Sequence, residues 1–258
     1  MRIVVLVKSV PDTNGDRKLN LETGLTDRTS GDQVLDEINE RAVEAALTIA
    51  ATVPDSTVEL LSVAPEEALS VIRKGLAMGA DSAVQVVDPT LVGADNTLTA
   101  EVLAAALKTK PFDLVITGNQ STDGAGGVVP SMISELLDLP ALTDLASVAL
   151  EGQTVRGTRV TDTATYTLSA ELPALVAVTE AFPEGRFPNF KGIMAAKKKP
   201  FEVMSLKELG IDAEDFSVPR AIMTAVSERP SREAGVKIVD EGDAAQQLAD
   251  FLISNRLA

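Results

Sequence analysis

The stretch from Asp113 to Pro140, DLVITGNQSTDGAGGVVPSMISELLDLP, constrains the fold of this chain more than any other. Leu114-Val115-Ile116 is a short, β-branched apolar run of the kind that forms a buried strand. A polar, glycine-rich turn follows, running from Gly118 through Asn119, Gln120, Ser121, Thr122, Asp123, Gly124 and Ala125 to Gly126-Gly127. Beyond it, Val129, Ile133, Leu136 and Leu137 recur at helical spacing, with Pro130 acceptable in a first turn. Strand, turn and helix in that order leave backbone N–H groups unpaired at the strand's carboxyl end. Open α/β sheets bind ligands there, and a helix start favours an anion. The same glycines also serve a tight βα turn that binds nothing. The turn is neither a GxGxxG fingerprint nor a Walker A loop, because Val128-Val129 and no lysine follow the glycine pair.

The N-terminal half repeats this alternation. Arg2–Val7, Thr57–Val63 and Ala83–Val87 read as buried strands, and 36–52, 65–78 and 97–108 as helices, the second ending at Gly79. Such a β–α series predicts an α/β fold with a doubly wound, mostly parallel sheet. One stretch breaks the rhythm. From Val10-Pro11 to about Gln33 the chain is polar and too long for an ordinary βα connection, so it is functional, mobile or a small hairpin of its own.

After Pro140 the pattern changes. Thr154–Val160 and Thr165–Glu171 alternate polar and apolar residues and read as a hairpin (154–171) with one solvated or partner-facing side. Leu172–Val178 returns to core-strand composition. A loop rich in Pro, Gly and Phe follows and leads into Lys197-Lys198-Lys199; four of the chain's seven Phe fall between Phe182 and Phe201. The lysine run also fits a solvated helix end. From Asp212 to Gly242 periodicity is low, and a last amphipathic helix covers about 244–255 with Leu248, Phe251 and Leu252 at helical spacing. The expected organisation is an α/β domain over 1–218 and an arm over 219–258.

Composition narrows the chemistry. The chain has no His, no Cys, no Trp and a single Tyr, Tyr166, which excludes a Ser-His-Asp triad, a thiolate nucleophile, an imidazole base and thiolate or imidazole metal sites. Binding, or presenting a cofactor that carries the chemistry, fits better than intrinsic catalysis. A formal net charge of −15 argues against nucleic acid as a partner. Absent cysteine fits a reducing cytoplasm, and no apolar run is long enough to span a bilayer, so the expectation is a cytoplasmic protein without membrane insertion. The first residues already read as a core strand and leave no room for a signal peptide.

Several motifs coincide along the whole chain: VLVKSVPDT, LDEINERAVEAAL, IRKGLAMGAD, DLVITGNQSTDGAGGVVP, LPALVAVTEAFPEGRFPNFKGIMAAKKKP and SREAGVKIVDEGD. In this order they resemble the β subunit of electron-transfer flavoproteins, and GIMAAKKKP after the Arg-Phe-Pro loop is the most specific. The resemblance implies a heterodimer whose α subunit holds most of a redox-active FAD, while the β subunit binds a structural AMP. It implies electron shuttling from dehydrogenases, such as acyl-CoA dehydrogenases of fatty acid β-oxidation, to a membrane quinone oxidoreductase. Carried over by position, AMP contacts fall on Leu6, on Asp36, Glu37, Ile38 and Asn39, on Val63, and on Gly118 through Val129, Val128 included. A recognition loop over 182–199 would use Arg186, Phe187, Phe190, Ile193 and Met194, and the tail would pack on the α subunit. No catalytic or metal residue is implied.

The chain departs from its relatives in places. Gly126, Gly127, Val128 and Val129 replace polar side chains beside the phosphate, so binding there would rest on backbone N–H groups and the helix dipole. Pro183-Glu184-Gly185-Arg186 stands where many members have Asn-Glu-Pro-Arg, Val160 follows Arg159 where relatives place an acidic residue, and Thr13 replaces an aromatic often near the flavin. Alternatives are a flavin-bifurcating member with a second FAD in place of AMP and a stand-alone adenine-nucleotide module. An ATP pyrophosphatase is disfavoured because no SGGxDS-like loop is present.

Overall fold

The computed structural model describes residues 1–29, 31–215, 217–232 and 235–257. Ser30 of the polar excursion, Phe216, and Glu233-Ala234 of the SREAGVKIVDEGD motif lie outside them. Contacts divide the chain into two units, Met1–Ala225 and Val226–Ala258.

The first unit begins with β1 (Arg2–Leu6), then β2 (Ser9–Pro11), β3 (Gln33–Leu35) and helix α1 (Glu37–Ala50). It continues through β4 (Thr57–Val63), α2 (Leu69–Met78), β5 (Ser82–Val86), α3 (Asn96–Lys108), β6 (Leu114–Gly118) and α4 (Val129–Leu137). The rest is β7 (Ala141–Glu151), β8 (Thr154–Val160), β9 (Thr165–Glu171), β10 (Ala174–Val178), α5 (Phe190–Ala196), β11 (Phe201–Met204) and α6 (Leu206–Leu209). Among the described residues these strands form a nine-stranded sheet in the order β11-β5-β4-β1-β6-β10-β7-β8-β9, with β2 and β3 paired as a separate ribbon. Pairing is parallel from β11 to β7 and antiparallel across β7, β8 and β9. The fold is therefore the expected α/β sheet with an antiparallel hairpin added at one edge.

Period-two alternation along each central strand divides the core. Ile3, Val5, Leu60 and Ile116 face α1 and α2, whereas Val4, Leu61, Val84 and Val115 face α3 and α4. Both faces are covered, which is why these strands read as continuous apolar runs. The inner face of α1 is Ile38, Ala42, Ala45, Ala46 and Ile49, all buried. On α4 the sequence reading needs one correction. Leu136 is 41% exposed, and Pro130 and Ile133 carry the buried face instead. Two strands of the nine-stranded sheet escaped the sequence, β7 and β11. Only Leu142 and Leu145 of β7 are buried, so the strand shows no clean alternation.

The second unit contains α7 (Ala244–Ser254), whose Leu248, Phe251 and Ile253 are all exposed. None of the described helices is long and apolar enough to cross a membrane.

Candidate functional site

From β1 the chain lays β4 and then β5 on one side, and returns to place β6 on the other side of β1. Loops after β1 and β6 therefore diverge, and the crevice between them at the sheet's carboxyl edge is the topological switch point where such sheets bind ligands. A cavity of about 540 Å³ opens there, within the range of roughly 300–1,000 Å³ usual for small-molecule sites.

The sheet edge contributes Leu6, Val63, Thr117 and Gly118 to its wall, and α1 contributes Asn39. The loop after β6 adds Asn119, Gln120, Ser121, Gly124, Gly126 and Gly127, with Val129 and Pro130 from the start of α4. Gly118 is needed for close approach, because a Cβ there would stand 2.8 Å from Asn39 Nδ2 and 2.9 Å from Ile38 Cγ2. Gly127 has φ +66°, a left-handed conformation that suits glycine. The residue at the head of α4, Val128, offers no side-chain cap. Among the described residues no acceptor meets the N–H groups of Gly126, Gly127, Val128 or Val129. Gly126, Gly127 and Val129 line the crevice, so donors without acceptors and a helix start stand at its wall, which is the chemistry of an anion site. The Asn119 N–H donates to Val178 O at 2.8 Å and its Nδ2 to Asp144 Oδ1 at 3.1 Å, while its Oδ1 is buried without a partner.

The remaining candidates from the sequence sit behind the wall rather than on it. Asp36 is fully buried: Oδ1 caps α1 by accepting from Ile38 N at 3.0 Å, and Oδ2 accepts from Thr122 N at 2.7 Å and Thr122 Oγ1 at 2.8 Å. Glu37 accepts from Thr13 Oγ1 at 2.7 Å on the surface. Ile38 packs beneath Gly118, and Ala125, in a left-handed conformation, donates its N–H to Ser121 O at 2.9 Å. The side chain of Asp123 is shielded from solvent and accepts from Lys8 Nζ at 2.7 Å, with Arg28 Nη2 at 3.5 Å. Burial opposes its ionisation, but the hydrogen bond and charge of Lys8, with Ser121 and the Gly124 N–H, outweigh it and hold the carboxyl below its ordinary range.

Sequence reasoning missed one whole wall. Leu25, Thr26 and Arg28 come from the polar excursion, Lys8 from just beyond β1, and Asp88, Leu91, Val92, Gly93, Ala94, Asn96, Thr99 and Leu103 from the β5–α3 connection and α3. Excessive length was the signal for the excursion. It folds back over the crevice, held by Arg17, which donates to Thr122 Oγ1 at 2.9 Å and to Pro11 O at 2.8 Å.

The second candidate surface is the loop into α5. Phe187 and Phe190 are 87% and 78% exposed, and Ile193 and Met194 are exposed beside them. Arg186 makes a two-pronged ion pair with Glu44, Nε to Oε2 and Nη2 to Oε1 both at 2.7 Å, so it fastens the loop to α1. Of the lysines that follow, Lys199 donates to Leu76 O at 2.9 Å and Ala80 O at 2.6 Å. It caps the end of α2 rather than lying free in solvent.

A family model described as "Electron transfer flavoprotein domain" matches residues 23–209. "Electron transfer flavoprotein subunit beta" of Mycobacterium tuberculosis is 46% identical, over 99% of this chain and 98% of the relative. The protein of that name from Bacillus subtilis is 31% identical over 98% of this chain and 96% of its own length. "Caffeyl-CoA reductase-Etf complex subunit CarD" of Acetobacterium woodii is 30% identical over 98% and 97%. With the match spanning most of the first unit and the relatives covering nearly the whole chain, this protein belongs to the electron transfer flavoprotein family as a beta subunit.

Proposed function

We propose that this chain is the nucleotide-holding half of a heterodimeric electron carrier. It binds AMP in the crevice between β1 and β6 and pairs with an α subunit that holds most of the FAD. The observation that carries this reading is the run of acceptor-less N–H groups at the head of α4, of which Gly126, Gly127 and Val129 line a cavity of about 540 Å³ at the sheet's switch point. A phosphate fits those donors, and the partnerless Oδ1 of Asn119 offers an acceptor to a ligand N–H or hydroxyl. FAD supplies the redox chemistry when bound. The residues of this chain bind and position, and none has to move a proton or form a covalent intermediate. Of the residues carried over for the nucleotide, Leu6, Asn39, Val63, Gly118–Ser121, Gly124, Gly126, Gly127 and Val129 line the cavity, and Asp36 and Ile38 hold that lining through Thr122 and Gly118. The exposed Phe187 and Phe190, with Ile193 and Met194, form the docking face for dehydrogenases, Arg186 fixes that loop, and the arm packs on the α subunit. Electrons then pass to a membrane quinone oxidoreductase from a cytoplasmic carrier.

The test is extraction of the nucleotides from the purified heterodimer. AMP and FAD in equal amounts support the reading. FAD alone, at twice the amount expected for one flavin site, overturns AMP in favour of a second flavin in the crevice.

A further inference from the structure

Two cations line the crevice, and the placement of their shared carboxylate gives them a purpose. Lys8 Nζ donates to Ser121 Oγ at 3.1 Å and to Asp123 Oδ1 at 2.7 Å, and lies 3.9 Å from where a Cβ on Gly124 would stand. Arg28 comes from the opposite side: Nη1 donates to Ser9 O at 2.9 Å and Nη2 lies 3.5 Å from Asp123 Oδ2. The Asp123 side chain is 4% exposed, whereas those of Lys8 and Arg28 are 40% and 37% exposed. The two cations line the cavity and the carboxylate between them does not. Two positive charges share one negative charge, which leaves a surplus of one. Lys8 retains one N–H of its three, and Arg28 has further guanidinium donors. The other charged group in the lining, Asp88, stands beyond β5, and its Oδ1 is taken by Thr90 N at 3.0 Å and Thr90 Oγ1 at 2.6 Å.

A chain of formal net charge −15 repels an anion from its own crevice. The glycine-loop N–H groups and the start of α4 offer roughly half a unit charge, which leaves most of the charge of a phosphate dianion unbalanced. We infer that Lys8 and Arg28, poised around the shielded Asp123, read the second phosphate charge and restrict the crevice to adenosine carrying a terminal phosphate monoester dianion. This rests on the nucleotide reading above and adds the ligand's charge state as its selected feature. It also accounts for the length of the polar excursion, because that segment carries Arg28 back over the cavity mouth.

The heterodimer, stripped of AMP and titrated by calorimetry with AMP, with its phosphate methyl ester and with adenosine, provides the test. The wild type should bind AMP about ten- to a hundredfold more tightly than the ester, the range of a charge-assisted hydrogen bond. Lys8→Met and Arg28→Gln should each lower AMP affinity and bring the two phosphate ligands within about threefold of each other, with adenosine unchanged. Arg28→Lys, which keeps the charge, should retain most of the discrimination. A wild type that binds AMP and its ester equally overturns the inference while leaving the nucleotide site standing. So do variants that weaken AMP and adenosine alike, because the pair would then only shape the loop. A wild type that binds no AMP overturns the nucleotide reading and this inference with it.

Discussion

One carboxylate, that of Asp36, joins the head of α1 to the loop after β6: Oδ1 takes Ile38 N, and Oδ2 takes both the N–H and the hydroxyl of Thr122. Residues far apart in sequence are thereby fixed together directly beneath the crevice. Asp36→Ala should destabilise the chain by about 2–4 kcal/mol. About 1 kcal/mol comes from the lost cap and about 1–3 kcal/mol from Thr122 donors left unpaired. Asp36→Asn, which keeps an acceptor for α1, should cost less. Urea denaturation midpoints of the two variants provide the check: an Asn variant as stable as the wild type would show that Thr122 is indifferent to Asp36, and equal losses would show that the cap on α1 contributes nothing.

The pairing of Arg186 with Glu44 makes the docking loop pH-sensitive. The Arg186 hydrogen bond and charge, against a smaller cost of burial, hold the Glu44 carboxyl below the ordinary glutamate value of 4.5. A depressed folded value means the contribution is complete above 4.5 and is lost as pH falls through the lower folded value. Both partners are partly exposed, so the effect on global stability is small, within about 1 kcal/mol. Glu44→Gln should instead lower amide protection factors across residues 184–187 at neutral pH, and acidification should do the same in the wild type. Unchanged protection in the variant would show that the loop is held by other contacts.

How much of this was legible in the sequence follows from where the constraints lie. The parallel strands announced themselves because both faces are buried, and Gly118 and Gly127 marked the turn because one packs on Asn39 and the other has φ +66°. The crevice wall supplied by Leu25, Arg28 and Lys8 was not legible, because its formation depends on long-range side-chain bonds to Thr122 and Asp123. No local pattern encodes which residue a basic side chain will reach. Strand β11 was hidden for a similar reason: it is an edge strand of four residues, paired among the described residues with β5 alone, and shows no burial period.

The nucleotide reading makes a sharp demand on Gly127. Gly127→Val places a β-branched residue at a φ that costs about 1–2 kcal/mol for any L side chain and puts methyl groups into the crevice. The purified heterodimer should lose AMP and melt at a lower temperature while its flavin absorbance survives. Gly127→Ala shares the backbone strain, and its Cβ would approach nothing nearer than Gln120 Oε1 at 4.0 Å, so the difference between the variants isolates the steric part. Full AMP content in the valine variant would place the phosphate elsewhere.

A cut to remove the arm belongs after Ala225, where the first unit ends. Cutting after Val218 would also remove Arg220, whose Nη1 and Nη2 reach Glu101 at 2.8 and 2.7 Å, and the bond from Ala221 N to Asp95 Oδ2 at 2.6 Å. Truncation after Ala225 should leave the melting of the first unit nearly unchanged and weaken pairing with the α subunit, read by sedimentation of the mixed subunits. A truncated chain that pairs as tightly as the full one would exclude the arm from the interface.

The last prediction concerns docking. Phe187 stands 87% exposed on a loop fastened by Arg186 to Glu44, and Phe190 stands 78% exposed as the first residue of α5, which Asn189 caps through Gly192 N at 2.8 Å. Rings that tuck into their own core would be buried, as Phe182 is; these two are presented. The helix behind them is seated hard on α2, since a Cβ on Gly192 would come 2.5 Å from Ala77 O. A rigid mount of this kind reduces the entropy lost when an aromatic side chain enters a partner's pocket. Truncating such an anchor typically costs about 2 kcal/mol or more. Phe190→Ala should therefore slow electron transfer from a dehydrogenase by at least about tenfold at sub-saturating concentration. Flavin content, AMP content and melting temperature should stay nearly constant, because the ring buries little surface of its own. Transfer kinetics equal to wild type in the Phe187→Ala, Phe190→Ala double variant would show that dehydrogenases dock on another face.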